Sequence, residues 1–216
     1  MKQILTDKER SHLDRRIADA EKRTGAQIVL AVIARSDSFA ELPWKAFALG
    51  VSIAGLFVFL LEMLWPVWTS DTTVLLAVTM TLAAGAVCAL TAVYLPGFAR
   101  LFLSSHRAEA EVRQYAESLF LSRELFATRE RTGILVLISL FERQVIVLPD
   151  TGVSRRLIRD AMEEIISLML PSLNSGRIAR ALEDGLERLA EILAVTATGE
   201  SAENELPDDI IEEKGI

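Results

Sequence analysis

Two apolar runs separated by a short connection limit what this chain can fold into. The first is AFALGVSIAGLFVFLLEML (46–64) and the second is VLLAVTMTLAAGAVCALTAVYL (74–95). Each matches the ~20 residues a helix needs to cross a ~30 Å hydrocarbon core. Glu62 is the only formal charge in either run. Trp44 precedes the first run, Trp65 and Trp68 follow it, and Tyr94 stands near the end of the second. Amphipathic rings gather at headgroup level, so this bracketing favours a bilayer over a soluble core. The remaining polar sequence is too short to wrap two helices that are apolar all round. A two-span transmembrane hairpin is therefore expected.

The rest of the chain amounts to one modest soluble domain. The whole chain's formal net charge of -7 is unevenly placed, with seven acids from Glu200 onward against Lys214 alone. The body is nearly neutral, and no basic excess exists to hold nucleic acid. Cys88 is the single cysteine and lies within the second apolar run, which excludes an intramolecular disulfide or a cysteine metal cluster. The opening MKQILTDKERSHLDRR has neither the apolar core nor the small-residue site of a signal peptide.

In chain order, Thr6 and Glu9 have capping-box spacing before a helix carrying Leu13, Ile17 and Ala20, and Gly25 is its stop. AQIVLAVIA (26–34) is a short, β-branched apolar run that reads as a buried strand. Beyond the hairpin, Pro96 and Gly97 break the helix. Residues 106–126 then form an amphipathic helix with Val112, Tyr115, Ala116, Leu119 and Phe120 on one face. TGILVLISL (132–140) and RQVIVLP (143–149) are strand-like runs close enough for a β-hairpin. DTGVS (150–154) is a turn and cap before a helix expected to end at Pro171, and SLNSG (172–176) leads into a last helix reaching about Val195. The acidic remainder is expected to be disordered. Without the hairpin, the order helix, strand, helix, strand, strand, helix, helix suggests a small α/β sandwich. Its first βαβ crossover is interrupted by the membrane excursion.

Four stretches in this order resemble the TPM domain family, which includes plant thylakoid proteins linked to photosystem II repair and acid phosphatase activity. They are LTDKERSHLDRRIADAEKRTGAQIVLAV (5–32), RQYAESLF (113–120), TGILVLISLFERQVIVLPDTGVSRRL (132–157) and PSLNSGRIARALEDGLERLAEIL (171–193). The resemblance implies a TPM-like α/β sandwich built from 1–45 and 96–195, with the hairpin at 46–95 and a tail at 196–216. Two departures fall where a ligand would be held. Pro149 and Asp150 replace the flexible lead-in to the glycine turn at Gly152, and LSRELFATRER (121–131) replaces the family's tryptophan-glycine element.

Candidate chemistry is sparse. His12 and His106 share no ligand spacing and read as surface residues. The loop acids Asp37, Glu142 and Asp150, with Glu41 beside them, are the only candidates to hold a divalent cation through oxygen ligands. Asp150 also suits a helix N-cap. No catalytic residue, nucleophile elbow or phosphate loop is identified, and no cofactor beyond that possible cation is implied. Ala84, Cys88 and Ala92, with Gly85 and Ala89, make a close-packing face for Gly50 and Ala54. Contact within the hairpin is favoured over self-association.

Two functional readings follow. The first is a non-catalytic, membrane-tethered interaction or maintenance module at the bacterial inner membrane, whose partners are the lipid bilayer and a membrane protein or complex. The second is a metal-dependent phosphatase, which requires the loop acids to converge. Arg35 and Lys45 before the hairpin, Arg100, Arg107 and Arg113 after it, and no base between 65 and 73 put both termini and the α/β domain in the cytoplasm.

Overall fold

The computed structural model describes residues 4–64, 71–194, 210–213 and 215. In chain order the elements are α1 (Asp7–Thr24), β1 (Gln27–Ile33), α2 (Glu41–Leu64), α3 (Asp71–Tyr94), α4 (Pro96–Ala99) and a 3-10 turn at Arg100–Phe102. There follow α5 (Ser105–Ser122), a second 3-10 turn at Leu125–Ala127, β2 (Gly133–Ser139), β3 (Gln144–Pro149), α6 (Thr151–Ser154), α7 (Arg159–Asn174), α8 (Ile178–Ala194) and β4 (Ile211–Glu213). They divide into two compact units, one made of Met1–Asp37 with Glu109–Ile216 and the other of Ser38–Ala108.

The first unit is an α/β sandwich around a four-stranded sheet of order β3-β2-β1-β4. β1 and β2 run parallel from Gln27↔Gly133 to Ile33↔Ser139, so each rung joins residues 106 positions apart. β2 and β3 form the expected antiparallel hairpin, from Ser139↔Gln144 to Ile134↔Pro149. All seven residues of β1 and of β2 are buried, which is why both read as unbroken apolar runs instead of alternating ones. The pleat divides the core into two layers. Ile28, Leu30, Val32, Ile134, Val136 and Ile138 pack with α1, α7 and α8, and Val29, Ala31, Ile33, Leu135 and Leu137 pack with α5.

Local signals explain the helix ends. Thr6 and Glu9 form the reciprocal capping box, and Gly25 closes α1 at φ 68°, a left-handed conformation that glycine adopts without a Cβ penalty. Pro171, expected to end a helix, instead lies inside α7, which continues to Asn174. A proline removes one backbone donor there, but the true stop is Gly176 at φ 73°, whose N–H donates to Leu173 O. α8 lies against both α1 and α7. Gly185 lets it approach Met169, since a Cβ there would stand 2.6 Å from the Met169 sulfur.

The tail was expected to be disordered from 196 onward, and this needs correction at its far end. Ile211–Glu213 pair in parallel with Ala31–Ile33 as β4, at the opposite edge of the sheet from β3. Residues 195–209 lie outside the described residues. Ile210 and Ile211 are buried in opposite layers of the core. The two acids that follow are fixed by distant cations and donors. Glu212 accepts from Arg10 at 2.8 Å and from the Ile4 N–H at 3.1 Å. Glu213 accepts from the Tyr115 hydroxyl at 2.7 Å and from Arg123 at 3.0 Å. Where β4 no longer covers β1, Glu21 accepts the Ile28 N–H at 2.7 Å, so this buried edge donor stays satisfied.

The second unit holds α2 and α3, which pack on each other. Both are long and apolar enough to cross a membrane, with mean hydropathy of 2.3 and 2.2. Small residues let the two backbones meet. A Cβ at Gly50 would stand 2.8 Å from Cys88 Sγ and 2.9 Å from Ala84 O, and one at Gly85 would stand 2.6 Å from Val51. The small-residue face thus serves contact within the hairpin. Away from that seam the apolar side chains are uncovered, as at Phe57 (62% exposed) and Leu75 (68% exposed).

The β4 attachment has a pH signature. Burial, then the hydrogen bond to Glu213, raises the Tyr115 phenol above its ordinary value of 10.0. The raised group contributes stability that is fully present below pH 10 and lost as pH rises above it. Urea unfolding of the detergent-solubilised protein should therefore weaken from pH 9 to pH 11, and Tyr115→Phe should flatten part of that slope. Parallel slopes in the two proteins would remove Tyr115 from the attachment.

Candidate functional site

In open α/β sheets, ligand sites lie beyond the carboxyl ends of parallel strands, so the ends of β1 and β2 come first. Leu140 N donates to Ile33 O and Phe141 N to Ala34 O, each at 3.0 Å, which extends the ladder one step past both strands. The chain then turns through Glu142 and Arg143, the latter at φ 55°. Glu142 is 7% exposed. It accepts the Ser36 N–H at 2.9 Å, the Ser36 hydroxyl at 2.7 Å and the Ser139 hydroxyl. This carboxylate bolts the segment leaving β1 to the β2–β3 turn. Beside it the Arg35 guanidinium lies 4.2 Å from the centre of the Phe141 ring. The far end of the tail also arrives here: Ala34 N donates to Glu213 O at 3.2 Å, and a Cβ on Gly215 would collide with Arg35 O.

Asp37 is half-buried next to Ser36, at the same end of the sheet as Glu142. Asp150 is not. It follows β3 beside the start of β2, its N–H donating to Gly133 O at 2.8 Å. Five rungs of β3 separate the two ends, about 17 Å at ~3.4 Å per residue. Glu41 belongs to the other compact unit, where it pairs with Arg107 at 2.9 Å. The four acids weighed as cation ligands are therefore not one set. Among the described residues, no group of three or more His, Cys, Asp or Glu is arranged to hold a metal ion.

Asp150 takes the cap role. Its carboxylate accepts the Thr151 N–H at 2.7 Å and pairs with Arg131 at 2.9 Å. Gly152 follows because the chain passes too close for a side chain: a Cβ would stand 2.1 Å from Glu130 O and 2.7 Å from Arg131 O. This glycine is needed for backbone approach. His12 is surface-exposed and 2.9 Å from Glu183, and His106 is exposed on α5. Sequence reasoning missed Ser36, Ser139 and Arg131. The usable signal was a lone hydroxyl ending an apolar strand with a glutamate three residues on.

A mixed α/β sandwich with an apolar helical hairpin inserted between two parallel strands is the class defined here. Residues 99–192 match the family model of the TPM domain. No curated protein matches the chain. Among solved structures, the NMR structure of BA42 protein from the psychrophilic bacterium Bizionia argentinensis is similar. The TM-score is 0.57 at 15% identity, over 98% of this chain and 97% of that one. At that identity the likeness shows a shared fold.

Glu142→Ala strands the Ser36 and Ser139 donors in a buried site and should cost about 3 kcal/mol in urea unfolding. A loss below about 1 kcal/mol would show that this carboxylate does not hold the two segments together.

Proposed function

We propose that this chain is a membrane-anchored TPM-domain module that binds or maintains a membrane protein complex at the inner membrane, with its α/β domain in the cytoplasm. One observation carries the reading. The sequence on both sides of the hairpin enters one sheet through β1 and β2, while α2 and α3 leave their large apolar side chains uncovered. Lipid satisfies such surfaces, and two crossings return the chain to the side it left. The basic residues flanking the hairpin and their absence from 65–73 support the cytoplasmic side.

The phosphatase alternative gains nothing from the acid set. Glu142 is occupied by three donors and Asp150 works as a cap at the opposite end of the sheet. The purified protein should hydrolyse generic phosphoesters no faster than background. Divalent-cation-stimulated hydrolysis that disappears in Asp37→Ala or Asp150→Ala would replace the binding reading with the enzymatic one.

Topology is tested in intact cells in a Cys88→Ser background with a membrane-impermeant maleimide. A cysteine at Thr69 should label and one at Ser11 should stay protected. Labelling at Ser11 with protection at Thr69 would invert the assignment.

A further inference from the structure

The segment after α3 neither continues the helix nor leaves it as a plain loop. α3 closes at Tyr94, and Leu95 turns to φ -112°, ψ 96°. Its carbonyl accepts from Phe98 N at 3.0 Å and Ala99 N at 3.1 Å, which starts α4. α4 and the 3-10 turn that follows pack against α2. Ala99 is buried, Phe98 and Phe102 stack edge to face at 5.4 Å, and Lys45 on α2 donates to Phe102 O at 3.3 Å. The segment is thus fastened to the hairpin's own end. Yet Leu101 is 77% exposed and Leu95 56%, beside Tyr94 and Trp44 that are also open.

Charge is sorted along the hairpin as well. Lys45, Arg100 and Arg107 sit at this end with Glu41, which Arg107 engages, and Glu62 and Asp71 sit at the other. A built turn that exposes leucine beside cations and interfacial aromatics, continuous with the apolar surface of α2 and α3, has the chemistry of a headgroup boundary. We propose that residues 95–103 form a foot seated in the anionic headgroup layer. Leu95 and Leu101 enter the acyl boundary, and the positive charge of Lys45 and Arg100 at this end draws the segment to anionic headgroups, which fixes the depth of the hairpin. The proposal rests on the membrane-anchored reading.

The test uses full-length protein in a Cys88→Ser background, spin-labelled at Leu90→Cys, Leu101→Cys or Ser11→Cys. It is reconstituted in phosphatidylcholine vesicles with or without phosphatidylglycerol. Collision with oxygen reports lipid, and collision with a nickel chelate reports water. The label at 90 should be shielded from nickel, that at 11 open to it, and that at 101 between them. Phosphatidylglycerol should lower nickel access at 101 at least twofold, and Lys45→Gln with Arg100→Gln should abolish that drop. Nickel access at 101 equal to that at 11, with 90 still shielded, would overturn the foot and leave the anchor standing. Nickel access at 90 as well would overturn both. A shielded 101 that ignores lipid charge would overturn the anionic contact.

Discussion

The sheet depends on one pairing, the parallel ladder between β1 and β2. Both strands are buried on both faces, so neither can sit at a solvated surface and each requires helices above and below. That requirement accounts for the two core layers: α1, α7 and α8 on one side and α5 on the other. It also explains the chain's order, because a parallel pair needs a crossover long enough to traverse the sheet. Here the crossover carries the apolar hairpin as an insertion. The insertion is compatible with the fold because the register of the two strands is set by burial and not by loop length.

How well each element could be read from sequence follows from how local its cause is. β1, β2 and β3 are apolar runs bounded by turn residues, and α1 announces itself through Thr6, Glu9 and Gly25; these are short-range signals. β4 has no such signal. Its three residues include two acids, and the groups that make them welcome, Arg10, Tyr115 and Arg123, lie 90 or more positions away. An acidic, apolar-poor stretch looks unstructured until those partners are known. Pro171 misled for a related reason. A proline is costly in a helix interior, but the ending glycine sits five residues further on.

The same locality limits what could be said of the site. Glu142 and Asp150 looked alike in sequence, as loop acids at strand ends. The antiparallel step from β2 to β3 puts them at opposite ends of the sheet and gives each a different occupation. One is consumed by hydroxyls from two segments, the other by a helix start and an arginine. Gly152 shows the reverse case, in which a residue singled out for resemblance proves to have a backbone reason of its own.

The 106-residue offset along the β1–β2 ladder bears on how the molecule is made. At synthesis rates of about 5–20 residues per second, β1 emerges about 5–20 s before β2. Throughout that interval it is an apolar strand with two open edges. Until β2 emerges, α1 is the element already made that can cover one face of it. A chain stalled before β2 would hold an aggregation-prone strand with nothing to pair it.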